Sequence, residues 1–187
     1  QEVAKYPNWL TPNMLGCSLS HLGVYNRITT SGTDWHLILE DDVELDPAIV
    51  PFMEAFEKTG TTFQDHVVLL YGVKLSGKII LDKESLFEKS GRTVHKVKPK
   101  QHVGSTGAYF IHKATARKMF ENNPLVKVAP DTWHFFRDQG SIQQLNVVYP
   151  FLSRPALFES TIGYVDKKSI KYKVKHFVEK VKVPVLY

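Results

Sequence analysis

The chain has 187 residues, of which 43% are hydrophobic and 12% aromatic, and it carries a formal net charge of +5. This composition argues against a disordered polypeptide, and the length favours one domain with a hydrophobic core over two. The single cysteine, Cys17, excludes an internal disulfide framework and fits a reducing compartment, and no apolar run approaches the roughly 18 residues that cross a bilayer.

Helical and strand-like patterns alternate along the first 151 residues. Leu15, Leu19, Leu22 and Tyr25 recur at spacings of three and four, which predicts a helix over 15–28. The other predicted elements, in chain order, are a buried strand over 35–39, a helix beginning at Asp46-Pro47, a strand over 66–73, a loop or hairpin over 74–101, a strand over 103–111, a helix over 113–122, an aromatic segment over 133–136 and a strand over 146–151.

Three consecutive acids, Glu40, Asp41 and Asp42, follow the strand predicted at 35–39. Alternating strands and helices predict an α/β fold, in which ligands bind beyond the carboxyl ends of the strands. Like charges side by side need water, a cation or positive partners, so the acids form either a surface turn or a metal site. Their position favours the metal site.

Carboxylate oxygens are the ligands that hard cations such as Mn²⁺ and Mg²⁺ prefer. An ion held this way can bind a diphosphate and neutralise charge as the diphosphate leaves. Two acids within three residues are common on protein surfaces, so this motif alone is weak evidence for a metal site.

Three further motifs stand in a fixed order around the acids. Gly16-Cys17-Ser18-Leu19-Ser20-His21 precedes them, a segment with two glycines and a tyrosine follows at 102–109, and Pro130-Asp131 comes later. In this order the set resembles glycosyltransferase family 25, which includes lipopolysaccharide-type galactosyltransferases and their collagen-modifying relatives. The resemblance runs from about residue 10 to about residue 163.

The resemblance implies a GT-A-like fold and inverting transfer of a sugar, usually galactose, from a UDP-sugar to a saccharide hydroxyl. By position, Glu40 and Asp42 would hold Mn²⁺ or Mg²⁺ and the diphosphate, and Asp41 would orient the donor or bind a ribose hydroxyl. Asp131 would be the catalytic base that removes the acceptor proton. The other residues expected to contact donor or acceptor are Ser20, His21, Gly104, Ser105, Thr106 and Tyr109.

One departure from the family concerns its N-terminal βα unit, which carries an arginine that helps to hold the nucleotide. That unit is missing from this sequence. Three explanations stay open: a fragment, a shortened form that binds the donor differently, or a form without activity. The alternative function is therefore an inactive glycosyltransferase-like protein that binds glycan or membrane.

Several candidate residues also have ordinary structural interpretations. His21 could brace the helix beside the acids, and Gly104 and Gly107 could serve only close strand packing. His134 could be a third metal ligand, although its aromatic neighbours are more typical of a packed segment. Cys17 is expected to be a small core residue.

We predict that residues 166–187 form a basic amphipathic helix, separate from a catalytic domain over residues 1–165. Five apolar side chains fall on one helical face and lysines occupy the rest, which suits either an anionic membrane surface or docking on the domain. We therefore expect a cytoplasmic enzyme, peripheral on a membrane, that acts on a glycan or glycolipid acceptor. Nucleic acid is not an expected partner, because no aromatic residues alternate with arginine along a strand.

Overall fold

The computed structural model describes residues 10–74, 77–156 and 185–186, and it confirms an α/β fold. A mixed sheet carries helices on both faces, and a separate two-stranded sheet lies beside it. The elements are α1 (Pro12–Thr29), β1 (Trp35–Leu39), β2 (Val43–Leu45), α2 (Ile49–Glu57), β3 (His66–Leu69), β4 (Ile79–Lys89), β5 (Arg92–Val97), β6 (Ala108–His112), α3 (Lys113–Glu121), α4 (Trp133–Asp138), β7 (Gln144–Tyr149), β8 (Ser153–Pro155) and β9 (Val185–Leu186), with a 3₁₀ turn over Gly60–Phe63.

The strand order of the main sheet is β1-β6-β3-β7-β5-β4-β9, and β2 pairs with β8 in the smaller sheet. Strand β6 is antiparallel to both β1 and β3, whereas β3 and β7 are parallel. The carboxyl ends of β1, β3 and β7 therefore meet the start of β6 at one edge. The segment after β1 and the segment before β6 lie together at this edge.

Helix α1 begins at Pro12, three residues before the predicted start at residue 15, because an N-cap and a proline precede the apolar repeat. Thr11 is the N-cap, its side chain accepts a hydrogen bond from the Met14 backbone N–H, and Pro12 occupies the first turn. The buried face of α1 packs toward the sheet and α3. It carries Met14, Ser18, His21, Tyr25 and Ile28.

The core has two layers because successive residues of a strand point to opposite faces of the sheet. In β3, Val67 packs with Tyr25 and Trp133 on the α1, α3 and α4 side. Its neighbour Val68 packs with Phe52 and Phe56 on the α2 side. The sheet is therefore buried on both faces, as the apolar strands predict.

Two stretches differ from the sequence prediction in the extent of their strands. The strand predicted at 66–73 ends at Leu69, and the one predicted at 103–111 begins only at Ala108. Between those strands only an isolated bridge joins Val73 and Gly104. Residues 104–107 therefore lie outside the regular strand pairing of the sheet and can line a site. Of the two alternatives for 74–101, the hairpin is confirmed as β4 and β5.

The helix predicted over 166–187 lies outside the described residues, apart from Val185 and Leu186. These two residues form β9, which pairs in parallel with the start of β4. Among the helices of the described part, none combines the length and the hydropathy of a membrane span.

Candidate functional site

Glu40 occupies the first position after β1 and is held by both its backbone and its side chain. Its N–H donates to the Gly107 carbonyl at 2.8 Å, which extends the pairing of β1 with β6 by one step. The Thr106 hydroxyl donates to Glu40 Oε1 at 2.6 Å, and His21 Nε2 lies 3.2 Å from the same oxygen. Glu40 is therefore a constrained, half-buried side chain. Asp41, in contrast, is exposed in the turn that follows.

Behind Glu40 runs a buried chain of hydrogen bonds. His21 Nδ1 lies 2.8 Å from the Tyr109 hydroxyl, which is 2.9 Å from the Tyr25 hydroxyl. Both tyrosines are almost completely buried, and His21 is only 6% exposed. The structural interpretation of His21 is confirmed, because its ring braces α1 against the sheet and orients Glu40.

The pKa values of Glu40 and Asp42, at the end of β1, are shifted in opposite directions. Burial works to raise the pKa of Glu40, but hydrogen bonds from His21 and Thr106 outweigh it, and the pKa lies below its ordinary value. The pKa of Asp42 is raised, first by burial and then by the negative charges of Glu40 and Asp41. A cation placed here would relieve this repulsion.

Carboxylates from separate parts of the chain affect the pKa of the Cys17 thiol. Its pKa is raised to about 11 by burial and then by the charges of Glu40, Asp131 and Asp42. Asp131 is far from Glu40 and Asp42 in sequence, yet it contributes to the same electrostatic environment. This agrees with the contacts of the segment 104–107, where Thr106 bonds to Glu40 and Gly104 lies against Asp131.

The segment 104–107 and the loop before α4 are packed against each other. A Cβ atom added to Gly104 would lie 3.0 Å from Asp131 Oδ2, and one added to Gly107 would lie 2.9 Å from Val43 Cγ1. The indole N–H of Trp133 donates to the Ser105 carbonyl at 2.9 Å. Ser105 has a φ of 96°, a region that side chains rarely adopt and that clusters at functional sites. At both glycines the close neighbour is a side chain rather than the backbone of a packed strand, and their role in contacting substrate stays a prediction.

Replacing Gly104 with alanine is expected to push the Asp131 carboxylate out of position. Overpacking of this kind costs about 1–3 kcal/mol unless the neighbour moves. We expect the thermal midpoint to fall, and the sugar transfer that the family resemblance implies to fall further than the stability loss explains. The matched control is Gly23→Ala in α1, where nothing lies within 4 Å of the new Cβ and alanine favours the helix. Equal activity in both variants would contradict the placement of Asp131.

The remaining predicted residues lie in varied settings. Ser20 is exposed and its hydroxyl donates to the Gly16 carbonyl of its own helix, at 3.0 Å. The hydroxyl of Tyr109 is buried against His21 and Tyr25. The ring of His134 stacks on His102 with centroids 3.9 Å apart. The substrate roles of Ser20 and Tyr109 stay predictions.

One group of three or more potential metal ligands occurs among the described residues. It consists of Cys17, His21 and Glu40, whose ligand atoms all lie within 4.8 Å of one another. Asp42 and His134 are not part of that group. Cys17 is half-buried beside Glu40, so the expectation of a small core residue missed its position. The available signal was its spacing of four residues from His21, which places both side chains on one helix face.

Comparison with protein-family models matches residues 2–133 to one family, described as glycosyltransferase family 25 (LPS biosynthesis protein). The match includes α1, the acids after β1, the segment 104–107 and Asp131. No individual curated protein gives a significant match. Because the family model spans more than half of the chain, and the motifs it covers meet at one edge of the sheet, the chain belongs to glycosyltransferase family 25.

Proposed function

We propose that this family 25 glycosyltransferase moves a sugar, with galactose as the first candidate, from a UDP-sugar to a saccharide hydroxyl in lipopolysaccharide or related glycan synthesis. The family description supports sugar transfer and lipopolysaccharide synthesis. The observation that supports the residue roles is that the segment 104–107 contacts both acids: the Thr106 hydroxyl bonds to Glu40, and Gly104 lies against the Asp131 carboxylate. A GT-A-like arrangement and a cytoplasmic, membrane-peripheral location belong to the same proposal.

Glu40 and Asp42 are the residues that would hold Mn²⁺ or Mg²⁺. Their oxygens suit a hard cation, and the raised pKa of Asp42 indicates negative charge that a cation would neutralise. The bound ion would supply charge stabilisation for the departing diphosphate. Asp41, exposed beside them, is positioned to reach a ribose hydroxyl or another polar group of the donor.

Asp131 is the proposed base of an inverting displacement. Its carboxylate would take the proton of the acceptor hydroxyl while that oxygen bonds to the anomeric carbon, and the bond from that carbon to the UDP oxygen breaks. The segment with Gly104, Ser105 and Thr106 would form the wall beside the sugar. Close packing of Gly104 on Asp131 supports this geometry, because it fixes the carboxylate relative to the wall.

The decisive experiment is a calorimetric titration of UDP into the protein with and without Mn²⁺, repeated for Asp42→Asn. We expect metal-dependent binding in the wild type and its loss in the variant. Asp42→Asn should also stabilise the metal-free protein slightly, because it removes a repelling charge. Glu44→Gln is the control, because Glu44 forms an exposed ion pair with Arg154, and such pairs contribute little.

Binding that survives in Asp42→Asn would contradict the assigned metal ligands. Absence of UDP binding under all conditions would instead favour the alternative function, a glycosyltransferase-like protein that binds glycan or membrane without catalysis. A glycan or vesicle binding assay on the same preparation would then follow.

A further inference from the structure

We propose that Cys17, His21 and Glu40 form a site for a soft divalent cation, with Zn²⁺ as the expected ion. This site is distinct in chemistry from the oxygen site proposed for Mn²⁺ or Mg²⁺, although the two share Glu40. Thiolate and imidazole are ligands that Zn²⁺ prefers, and hard cations do not require them.

The spacing of the three side chains fits one ion. His21 Nε2 and Cys17 Sγ lie 3.2 Å and 4.0 Å from Glu40 Oε1, respectively. With zinc–ligand bonds of about 2.0–2.3 Å, ligand atoms in a tetrahedral site lie about 3.3–3.8 Å apart. All three ligand atoms lie within 4.8 Å of one another, so side-chain rotations that shorten the longer separations would bring them to one centre.

The residues around the ligands supply the support that metal sites need. Zn²⁺ at Nε2 of His21 would replace the contact of this nitrogen with Glu40, and Nδ1, which lies 2.8 Å from the Tyr109 hydroxyl, would then carry the proton and donate a hydrogen bond to that hydroxyl. Thr106 fixes the Glu40 carboxylate through a 2.6 Å hydrogen bond. Such partners orient ligating groups, and their loss typically lowers metal affinity about 10–100-fold. The buried tyrosine pair thus acquires a role beyond packing.

Charge and coordination number both suit the ion. A thiolate and a carboxylate together neutralise Zn²⁺, and the thiol must lose its proton when it binds. Three protein ligands leave one position open, as in exchangeable or catalytic zinc sites rather than closed structural ones. If the proposed function holds, zinc would occupy the carboxylate that Mn²⁺ requires and would oppose metal-dependent UDP binding.

Titration of the tag-free protein with Co²⁺ tests the site, since cobalt replaces zinc and reports a thiolate ligand by a charge-transfer band. We expect a band that saturates at one Co²⁺ per chain and disappears on addition of Zn²⁺. Cys17→Ser should lack the band while keeping a wild-type circular dichroism spectrum. Glu54→Gln, which changes an exposed carboxylate on α2, should keep it.

Asp42→Asn separates this proposal from the proposed function. It should retain the cobalt band even where it abolishes Mn²⁺-dependent UDP binding, because Asp42 lies outside the three-residue group. An independent measurement on the wild type is the rate at which iodoacetamide alkylates Cys17. Zn²⁺ should suppress it, because a metal-bound sulfur is not free to attack iodoacetamide, and Mg²⁺, which prefers oxygen ligands, should not. Absence of both the band and the zinc protection would overturn the proposal.

Discussion

Replacing Trp133 with alanine is expected to lower the free energy of unfolding by about 3–5 kcal/mol. Trp133 has no exposed surface, and its ring meets that of Tyr109 edge-on at 5.2 Å. The truncation removes a large apolar side chain from the layer that contains α1 and α4. It also leaves the carbonyl of Ser105 without its indole donor.

Trp133→Phe isolates the hydrogen bond from the packing. Phenylalanine keeps most of the ring volume, so its stability loss should be about 1–2 kcal/mol, mainly from the lost hydrogen bond. Urea denaturation of both variants gives the two free energies. If the segment around Ser105 forms a wall of the sugar site, Trp133→Phe should also weaken donor binding. A Trp133→Ala protein as stable as the wild type would contradict the described core.

If the proposed function holds, replacing Glu40 with glutamine should weaken Mn²⁺-dependent UDP binding by more than the roughly 10–100-fold that is typical when a residue orienting a metal ligand is lost. The amide keeps the shape of the side chain but lacks the negative charge that would bind the cation. Stability should also fall, by about 1–3 kcal/mol, because hydrogen bonds to a charged acceptor in a half-buried place are replaced by weaker ones.

The stability difference between wild type and Glu40→Gln should depend on pH. The pKa of Glu40 is lower in the folded protein than in the unfolded chain. Its charge therefore stabilises the fold above the unfolded pKa, and this contribution is lost as the pH falls through the folded pKa. Melting curves of both proteins from about pH 7 to about pH 3 should converge in acid.

Glu88→Gln, which changes an exposed carboxylate on β4, provides the control for that pH series. Its melting curve should stay close to that of the wild type, because exposed single charges contribute little. A constant difference between wild type and Glu40→Gln at every pH would show that packing, rather than charge, accounts for the effect of Glu40.

The elements predicted best from sequence are those specified by neighbouring residues. Strand β1 is an apolar run at the predicted bounds, and apolar residues at helical spacing predicted helix α1, although its threonine cap and first-turn proline place its start before the predicted one. Helix α3 likewise lies within one residue of its prediction. The ordered motifs also indicated the family without knowledge of any contact. The helix and strand signals each lie within one turn or one strand, whereas the family was indicated by the order of motifs along the chain.

Strand ends and the hairpin were harder to predict for a physical reason. The strand predicted at 103–111 has glycines and small polar residues at 104–107, and these find only one bridging partner before the regular pairing with β1 and β3 begins at Ala108 and Tyr109. Partner strands come from distant parts of the chain. The pattern of one segment therefore predicts that a strand exists but not where its ladder stops.

By itself the sequence determined the α/β alternation, the acids at the end of β1 and the family of this protein. Only the tertiary structure decided that Glu40 turns toward α1, because its partner Thr106 lies 66 residues away and Cys17 lies 23 residues away. The same holds for His21 and Tyr109, which are 88 residues apart and meet in the core. Local propensity acts over a few residues, whereas contacts of this range exist only after the sheet has set its strand order and brought the segments to one edge.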